Sequence, residues 1–339
     1  MDPGKSKGSR CIKSIKKNCF RNFFISFFTF QKIGYVKIVS LLNRINIMFP
    51  TLGHLLSYLT GQRVVLPVPT FGLFMLLSFA GAWVAFQSEY KRKEAGGGIL
   101  MDRLLLYCGI SGFAGAILSA KLERLTGFSV SPFHWLFSFN GLNYYGALLA
   151  GATTYLVINR RHGIPLSVAV DIGSPGMMLA YGIGRIGCHL SGDGDWGIVN
   201  VAARPGWLQW APDWVWQFRY PHNSIHQGVA IPGCMDSYCT QLAAPVYPTS
   251  FYEAVICLLL FVFLWWLRRK PLPAGLLFFV YALLSGAERF TIEFIRINPR
   301  YSLWGWHLSQ AQMIALGSMA LGVIGIFVLL RRNIGTILT

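Results

Sequence analysis

Long apolar runs separated by short polar stretches are the most informative feature of this sequence. A helix needs about 20 apolar residues to cross the hydrocarbon core of a bilayer. Stretches near that length occur seven times, at residues 70–88, 103–120, 141–158, 167–190, 251–267, 274–295 and 307–330. Lipid offers no partner for unpaired backbone groups, so each stretch is predicted to be helical. The predicted fold class is an all-α integral membrane protein with seven transmembrane helices.

The polar stretches between these runs predict the topology. Clusters of basic residues follow every second run: Lys91-Arg92-Lys93, Arg160-Arg161, Arg268-Arg269-Lys270 and Arg331-Arg332. Basic residues concentrate on the cytoplasmic side of a membrane. We therefore predict that the N-terminus lies outside and that the C-terminus, with a tail over residues 333–339, lies in the cytoplasm. A long segment over residues 191–247, rich in Trp, Pro, Gly and Asp, is then external and is expected to be functional or partly folded.

The charge balance agrees with a membrane protein and sets the N-terminal region apart. The net charge is +17, yet charged residues make up only 13% of the chain. We attribute this excess to anionic lipid headgroups and the cytoplasmic bias, and we predict no nucleic-acid partner. Residues 1–47 hold ten Lys/Arg and one acid. They are interpreted as a basic extension, disordered or absent from the native protein, before a membrane domain over residues 48–332. A membrane anchor or targeting arm is the alternative.

Ionisable residues inside the predicted spans are candidates for chemistry, because burying a charge in a membrane is costly. Arg185 lies near the outer end of the fourth predicted span, within a sequence that matches the G-x-G-x-x-G pattern. A dinucleotide-binding site is excluded, because this pattern binds dinucleotides only where a strand precedes it, and no strand is predicted here. Arg289, Glu293 and Arg296 are spaced to share one helical face. The functional interpretation is a phosphate site, since arginine binds phosphate oxygens with two donors. The structural alternatives are an arginine that reaches the interface and an ion-pair ladder that only joins helices.

The remaining candidates lie at the predicted outer face. Tyr252-Glu253 and Tyr144-Tyr145 begin two spans, where aromatic residues are common in any case. Asp193 and Asp195 lack a calcium-loop pattern, and neither a metal nor another cofactor is predicted. Cys234 and Cys239 share the external segment, and they are predicted to form a disulfide, because that compartment is oxidising.

Three motifs in order resemble the prolipoprotein diacylglyceryl transferase family between about Met48 and Arg332. The motifs are the run from Gly184-Arg185 through Gly187 and Asp193 to Trp196-Gly197, the run from Pro248 to Tyr252-Glu253, and the Arg289, Glu293 and Arg296 pattern. The sequence departs from the family in three ways. Tyr145 stands where the family usually has a histidine, Cys188 stands at the signature asparagine, and the first motif has one additional residue. These departures are typical of a divergent branch, and the alternative is a paralogue that acts on another lipid substrate.

The resemblance implies an enzyme of the bacterial inner membrane that transfers diacylglycerol from phosphatidylglycerol to the lipobox cysteine of a prolipoprotein signal peptide, forming a thioether. Its candidate catalytic residues are Arg185, Arg289, Tyr145 and Glu293. Its candidate substrate-binding residues are Gly184, Gly187, Asp193, Trp196, Tyr252, Glu253 and Arg296. The base that deprotonates the thiol stays open among Tyr145, Glu293, Glu253 and Asp193. The alternatives are a transporter or channel for a small anionic solute, and a membrane scaffold without catalytic activity.

Overall fold

The computed structural model describes residues 48–95, 98–125, 144–303 and 306–337, and these are mostly helical. The helices are α1 (Leu52–Thr60), α2 (Thr70–Arg92), α3 (Gly98–Leu125), α4 (Tyr144–Arg161), α5 (Leu166–Ser191), α6 (Thr249–Leu267), α7 (Leu276–Ile292) and α8 (Gln310–Ile337). Two short antiparallel hairpins pair β1 (Val229–Ala230) with β2 (Thr240–Gln241), and β3 (Arg300–Leu303) with β4 (Trp306–Ser309). The predicted extension over residues 1–47 lies outside the described residues.

A helix lies over each of the seven predicted spans, with two differences at the ends. Within the described residues, the helices long and apolar enough to cross a membrane are four: Thr70–Arg92, Leu166–Ser191, Thr249–Leu267 and Gln310–Arg332. The count of seven spans therefore stays a prediction. The sixth predicted run ends as a helix at Ile292 and continues as a 3-10 turn, Glu293–Ile295. The seventh begins at Gln310, because strand β4 occupies the residues before it.

Helix α5 lies at the centre of the helical packing. It packs along α2 and α6 and also contacts α7, while α7 packs along α8 and α3 along α4. Small residues allow this closeness: a Cβ added at Gly187 would lie 2.5 Å from Cβ of Phe74 on α2. Close backbone approach through small residues is how helices associate in lipid. Gly184 and Gly187 of the first motif therefore lie on a helix that is packed against α2, α6 and α7.

The basic ends of two helices meet, which supports the predicted clustering of basic residues. Glu89, with no exposed surface, accepts hydrogen bonds from Arg92 on its own helix, at 2.7 Å, and from Arg268 after α6. Arg268 also lies over the ring of Trp265. A buried carboxylate between two guanidinium groups joins the ends of α2 and α6.

The segment between α5 and α6 folds around its own aromatic core, which also includes the start of the described chain. The core consists of Met48, Trp196, Trp214, Phe218, Tyr220, Leu242 and Val246. Gly192 begins the segment in the left-handed region, at φ +61°, and its N–H bonds to the carbonyl of Cys188. Such a residue ends a helix and turns the chain without the strain that a Cβ would cause. This turn directs the segment back over the helix ends.

Candidate functional site

Three arginines from separate parts of the chain meet three carboxylates at the end of α5 where the polar segment begins. Arg185 comes from α5, Glu253 from α6, Arg289 from α7, and Glu293, Arg296 and Asp195 from the turns that follow. We call these six residues the arginine cluster. Three formal positive charges face three negative ones, so the cluster is close to neutral overall. Opposite charges this close offset much of each other's desolvation cost.

Glu253 is the centre of the arginine cluster and has no exposed surface. One of its carboxylate oxygens accepts a hydrogen bond from Arg289 at 2.8 Å, and the other accepts one from Arg296 at 2.8 Å. Nε of Arg185 lies 3.3 Å from the second oxygen, and the hydroxyl of Tyr181 donates to the first at 3.1 Å. Glu253 thus fixes all three guanidinium groups.

Asp195 bridges two arginines with separate oxygens. It accepts a hydrogen bond from Nη1 of Arg185 and another from Nη2 of Arg296 at 2.5 Å. Burial disfavours the charged form of Asp195, but the two guanidinium groups outweigh burial and hold its pKa below the usual value. The backbone carbonyl of Asp195 accepts a hydrogen bond from Thr249 at the start of α6, at 3.0 Å. Asp195 therefore stays ionised and joins the polar segment to the helices.

The Arg289, Glu293 and Arg296 pattern does not form one helical ladder as the sequence predicted. Arg289 and Glu293 do pair, at 2.9 Å. The α-helix ends at Ile292, however, and Arg296 has extended backbone angles, φ −90° and ψ 155°. Arg296 consequently leaves the helical face and bonds to Asp195 and Glu253, while its backbone forms a bridge with Gly197. The i, i+4, i+7 spacing of these residues assumes a continuous helix, so it does not reveal that the chain becomes extended at Arg296.

Gly197 permits this bridge by close approach. A Cβ on Gly197 would lie 2.5 Å from the carbonyl oxygen of Ile295 and 2.9 Å from Cβ of Tyr247. Its own N–H donates to the carbonyl of Tyr247 at 2.9 Å. The close approach of neighbouring atoms therefore explains why the Trp196-Gly197 part of the motif contains glycine.

The arginine cluster is exposed along one part of its surface. The exposed fraction of the side chain is 34% for Asp195, 24% for Arg289 and 15% for Arg185. It is 7% for Arg296, and Glu253 and Glu293 are buried. The exposed part of the cluster therefore consists of the Asp195 carboxylate and the guanidinium groups of Arg289 and Arg185, and Arg289 is the most exposed of its three arginines.

Other predicted site residues lie around the arginine cluster in supporting positions. Trp196 is 4% exposed, in the aromatic core of the polar segment. The hydroxyl of Tyr252 donates to the carbonyl of Val215 at 2.6 Å. A Cβ added at Gly184 would make only ordinary contact with Ser78, whereas Gly187 packs closely against Phe74. The substrate contacts predicted for these residues stay predictions.

Tyr145 belongs to the first turn of α4, but its side chain lies outside the described part of the molecule, as do residues 141–143 of the predicted third span. Its predicted catalytic role therefore has no geometry to compare with.

Asp193 differs from Asp195 in its partners. Burial and the nearby charge of Asp195 raise its pKa above the usual value. Cys188 Sγ and carboxylate oxygens of Asp193 and Asp195 lie within 4.8 Å of one another, which is a spacing that could hold a metal ion. Both oxygens of Asp195 already accept hydrogen bonds from arginines. A metal there would share these oxygens with the guanidinium groups of Arg185 and Arg296, whose positive charges oppose its binding.

The disulfide predicted between Cys234 and Cys239 is present in the structure, with 5.6 Å between the Cα atoms. The small loop that it closes lies against α1. Asp236 of the loop pairs with His54 of α1 at 2.7 Å, and the ring of Tyr238 contacts the same histidine edge-on. The bond therefore holds together a loop that contacts the first described helix.

Sequence reasoning missed three contributors to the arginine cluster. Tyr181 lies four residues before Arg185 on α5, and Nη2 of that arginine donates to its hydroxyl at 3.2 Å. The i, i+4 spacing of Tyr181 and Arg185 was the available signal. Asp195 was considered only as a metal ligand. Asn298, which donates to Glu293 at 2.5 Å, follows the helix and carried no pattern.

The fold and the arginine cluster together define a class: a helical membrane protein with a buried ion-pair site at one end of its helices. Comparison with known proteins narrows this class. A family model described as prolipoprotein diacylglyceryl transferase matches residues 62–328. The chain therefore belongs to that family.

Curated relatives carry the name phosphatidylglycerol–prolipoprotein diacylglyceryl transferase. The protein from Thermus thermophilus is 29% identical over 244 residues, covering 70% of this chain and 82% of the relative. The protein from Bordetella avium is 28% identical over 276 residues, covering 79% and 92%. The one from Dehalococcoides mccartyi is 27% identical over 265 residues, covering 76% and 88%.

Proposed function

We propose that this protein is an enzyme that transfers a diacylglyceryl group from phosphatidylglycerol to the cysteine thiol of a prolipoprotein. The family match over residues 62–328 and the names of the relatives support the reaction. The observation that carries the proposal within this chain is the arginine cluster, with Arg185 and Arg289 on different helices and both partly exposed. Two partly exposed arginines on different helices could bind the phosphodiester of one lipid molecule from two sides.

The chemistry breaks a carbon–oxygen bond beside a phosphate. The thiolate sulfur attacks the terminal glyceryl carbon of the diacylglyceryl group, and glycerol phosphate departs with the bonding electron pair. Negative charge grows on the phosphate oxygen as this bond breaks, and preorganised cations stabilise that charge. In this proposal Arg185 and Arg289 bind the phosphate at their exposed edges, and Glu253 keeps their guanidinium groups in place.

The acceptor thiol must lose its proton first, because a free thiol with pKa near 8.5 is mostly protonated at neutral pH. Among the predicted bases, Glu253 and Glu293 both form ion pairs with arginines. Protonating either carboxylate would break an ion pair of the arginine cluster. These two residues are better suited to hold arginines than to accept the thiol proton.

The lipid substrate sets the location of the site. We propose that seven helices span a bacterial inner membrane, with the N-terminus outside, the C-terminus in the cytoplasm and the 191–247 segment external. The acceptor in this arrangement is the lipobox cysteine of a signal peptide, presented at the outer surface. The joining of two basic helix ends by Glu89 supports this topology, since the basic clusters then share one side.

A transporter or channel for a small anionic solute was the alternative from sequence. The family match favours the transferase. The arginine cluster also lies at one end of α5 and α7, whereas secondary transporters bind their substrate near the middle of the membrane. No observation in the described residues favours transport.

The test is turnover by the purified full-length protein in detergent or nanodiscs that contain phosphatidylglycerol. A lipobox peptide should gain a diacylglyceryl group, measured by mass spectrometry, while glycerol phosphate appears in equal amount. The matched control is the same peptide with serine in place of cysteine, which should stay unmodified. Absence of product, together with failure to complement a transferase-depleted bacterium, would reject the proposed function.

A further inference from the structure

Glu288 is a buried acidic residue on the face of α7 that packs against α5 and α6. Leu277, Tyr281 and Leu284 share that face, at helical spacing, and contact residues of α5 and α6 in one apolar cluster. Glu288 comes four residues after Leu284 and continues the same face. Its exposed fraction is 7%. The carboxyl group therefore lies between three helices, within a turn of Arg289.

Within the described residues, Glu288 is the acid near the arginine cluster that has neither a hydrogen bond nor an ion pair. Its Oε1 is buried without a hydrogen-bond partner. The three carboxylates of the arginine cluster all form ion pairs with arginines. Burying an unpaired ionisable group is expensive, and within a membrane such a group is by default a candidate for function.

The groups that face Glu288 belong to the reaction site. Within electrostatic range lie Glu253 and Cys257 of α6, Arg185 and Tyr181 of α5, the neighbouring Arg289, and Arg296. Helix α8, on the other side of α7, has no titratable side chain between Gln310 and Leu330. The charge of Glu288 is therefore sensed mainly at the arginine cluster.

We propose that Glu288 is the general base that accepts the proton of the acceptor thiol. The inference rests on the proposed transferase function. In this step the S–H bond breaks, its proton goes to a carboxylate oxygen of Glu288 directly or through one water, and the thiolate forms the C–S bond as the C–O bond to phosphate breaks. The protonated carboxyl group then returns the proton to water or to the released glycerol phosphate.

The physical reason for this assignment is the lack of a partner. A carboxylate that already accepts from arginine gains little by taking a proton, because protonation breaks a favourable pair. Glu288 loses no pair when it is protonated, and its neutral form suits a buried site. It can therefore exchange a proton without dismantling the cations that hold the phosphate.

The first test compares the pH profiles of kcat/KM for the wild type, Glu288→Gln and Glu288→Asp. General bases contribute about 10²–10⁴-fold, so Glu288→Gln should lose activity in that range and also lose the acid limb of the profile. Glu288→Asp should retain an acid limb at a reduced rate. Asp102→Asn, which removes an exposed acid on α3, is the control and should match the wild type.

The second test separates a base from a merely structural residue. A lipobox peptide with selenocysteine in place of cysteine carries a selenol that is already ionised at neutral pH. This acceptor needs no base, so the ratio of wild-type to Glu288→Gln rates should fall by at least tenfold relative to the thiol peptide. A structural defect would lower both rates equally and leave the ratio unchanged.

Three outcomes are distinguishable. Equal losses on the thiol and selenol peptides, or an acid limb that persists in Glu288→Gln, would overturn the role of Glu288 while leaving the transferase intact. A wild type inactive on both peptides would instead reject the proposed function. If Glu288→Gln does not accumulate, the thiol-to-selenol ratio of Glu288→Asp decides the question, because a shorter carboxylate should be impaired more on the thiol.

Discussion

At Glu253 a single carboxylate bonds to arginines from α5, α7 and the turn after α7. The three guanidinium groups offset the desolvation cost of burying the Glu253 carboxylate, and Glu253 in turn holds the three arginines in place. Removing one member of a buried set leaves the others uncompensated, at a cost of about 3–5 kcal/mol. The arginine cluster is therefore both a structural joint and an arrangement of cations prepared for an anion.

Arg185→Ala and Arg289→Ala are each expected to abolish transfer to the lipobox peptide while the protein still accumulates in the membrane. Both side chains are partly exposed and carry the cations proposed to bind phosphate. Lysine at either position should also abolish transfer, because its ammonium group cannot replace the planar guanidinium, which binds two phosphate oxygens at once. Peptide modification by mass spectrometry, alongside immunoblots of the membrane fraction, measures this.

Arg204→Ala provides the matched control for these variants. Arg204 pairs with Asp213, whose side chain is 93% exposed, and exposed pairs contribute little. This variant should retain near-normal activity. Normal turnover by Arg185→Ala or Arg289→Ala would remove that arginine from the proposed mechanism.

Asp195 predicts a dependence of stability on pH. Its pKa is lowered in the folded protein, so its contribution is present above the unfolded value, near 3.9, and is lost as the pH falls through the folded value. Asp195→Asn should therefore lower the Tm at pH 7, and the difference from the wild type should shrink below about pH 4. Thermal unfolding in detergent across this range measures it, and a difference that stays constant with pH would contradict the assignment.

At the scale of elements, the start of α7 depends on a side chain from another helix. Asp171 of α5, 2% exposed, accepts hydrogen bonds from the N–H groups of Gly275 at 2.7 Å and Phe278 at 2.9 Å. These are unpaired donors of a helix N-terminus, and a carboxylate there also interacts favourably with the helix dipole. The contact therefore fixes the position of α7, which carries Glu288 and Arg289, relative to α5.

Asp171→Ala is expected to destabilise the protein by about 1–3 kcal/mol, because two buried N–H groups lose their acceptor. Asp171→Asn should cost less, since its amide oxygen can still accept one of these bonds. The measurement is thermal unfolding of the purified variants, with Asp102→Ala on the exposed surface as control. An unchanged Tm for Asp171→Ala would show that water replaces the carboxylate.

The disulfide-closed loop is a second element with a testable contribution. Replacing both Cys234 and Cys239 by serine should lower stability by at most about 3 kcal/mol, because the closed loop is shorter than 15 residues. Thiol labelling of the denatured protein, before and after reduction, tests the bond itself. Full labelling of both cysteines without reduction, in protein from its native membrane, would also weaken the external placement of this segment.

At the scale of the whole molecule, the fold includes the chain from Met48 onward. Met48 is 2% exposed in the aromatic core of the polar segment, and Phe49 N–H bonds to the carbonyl of Leu190. A protein that begins at Met48 is therefore expected to insert and to modify the lipobox peptide as the full chain does. A protein that begins at Thr51 loses these contacts and should be less stable. Loss of activity with normal insertion in the first variant would assign residues 1–47 a function.

The helices could largely be predicted, because length and apolarity alone decide whether a segment can lie in lipid. The ends of helices depended on tertiary contacts instead. Apolarity alone did not reveal that β4 pairs with β3 before Gln310, nor that the helix carrying Arg289 stops at Ile292. Strand pairing and 3-10 turns are decided by neighbours that a local pattern does not contain.

What the sequence determined by itself is the membrane class, the three motifs and most charged members of the arginine cluster, because buried charges stand out against an apolar background. Only the tertiary structure decided how they combine. Asp195, not Asp193, takes the arginines, since the turn at Gly192 and the close approach at Gly197 carry it over α5. Within the described part of the chain, Glu288 differs from Glu253 and Glu293 because it forms no ion pair. Pairing is a property of distances between elements, and one-dimensional spacing does not contain those distances.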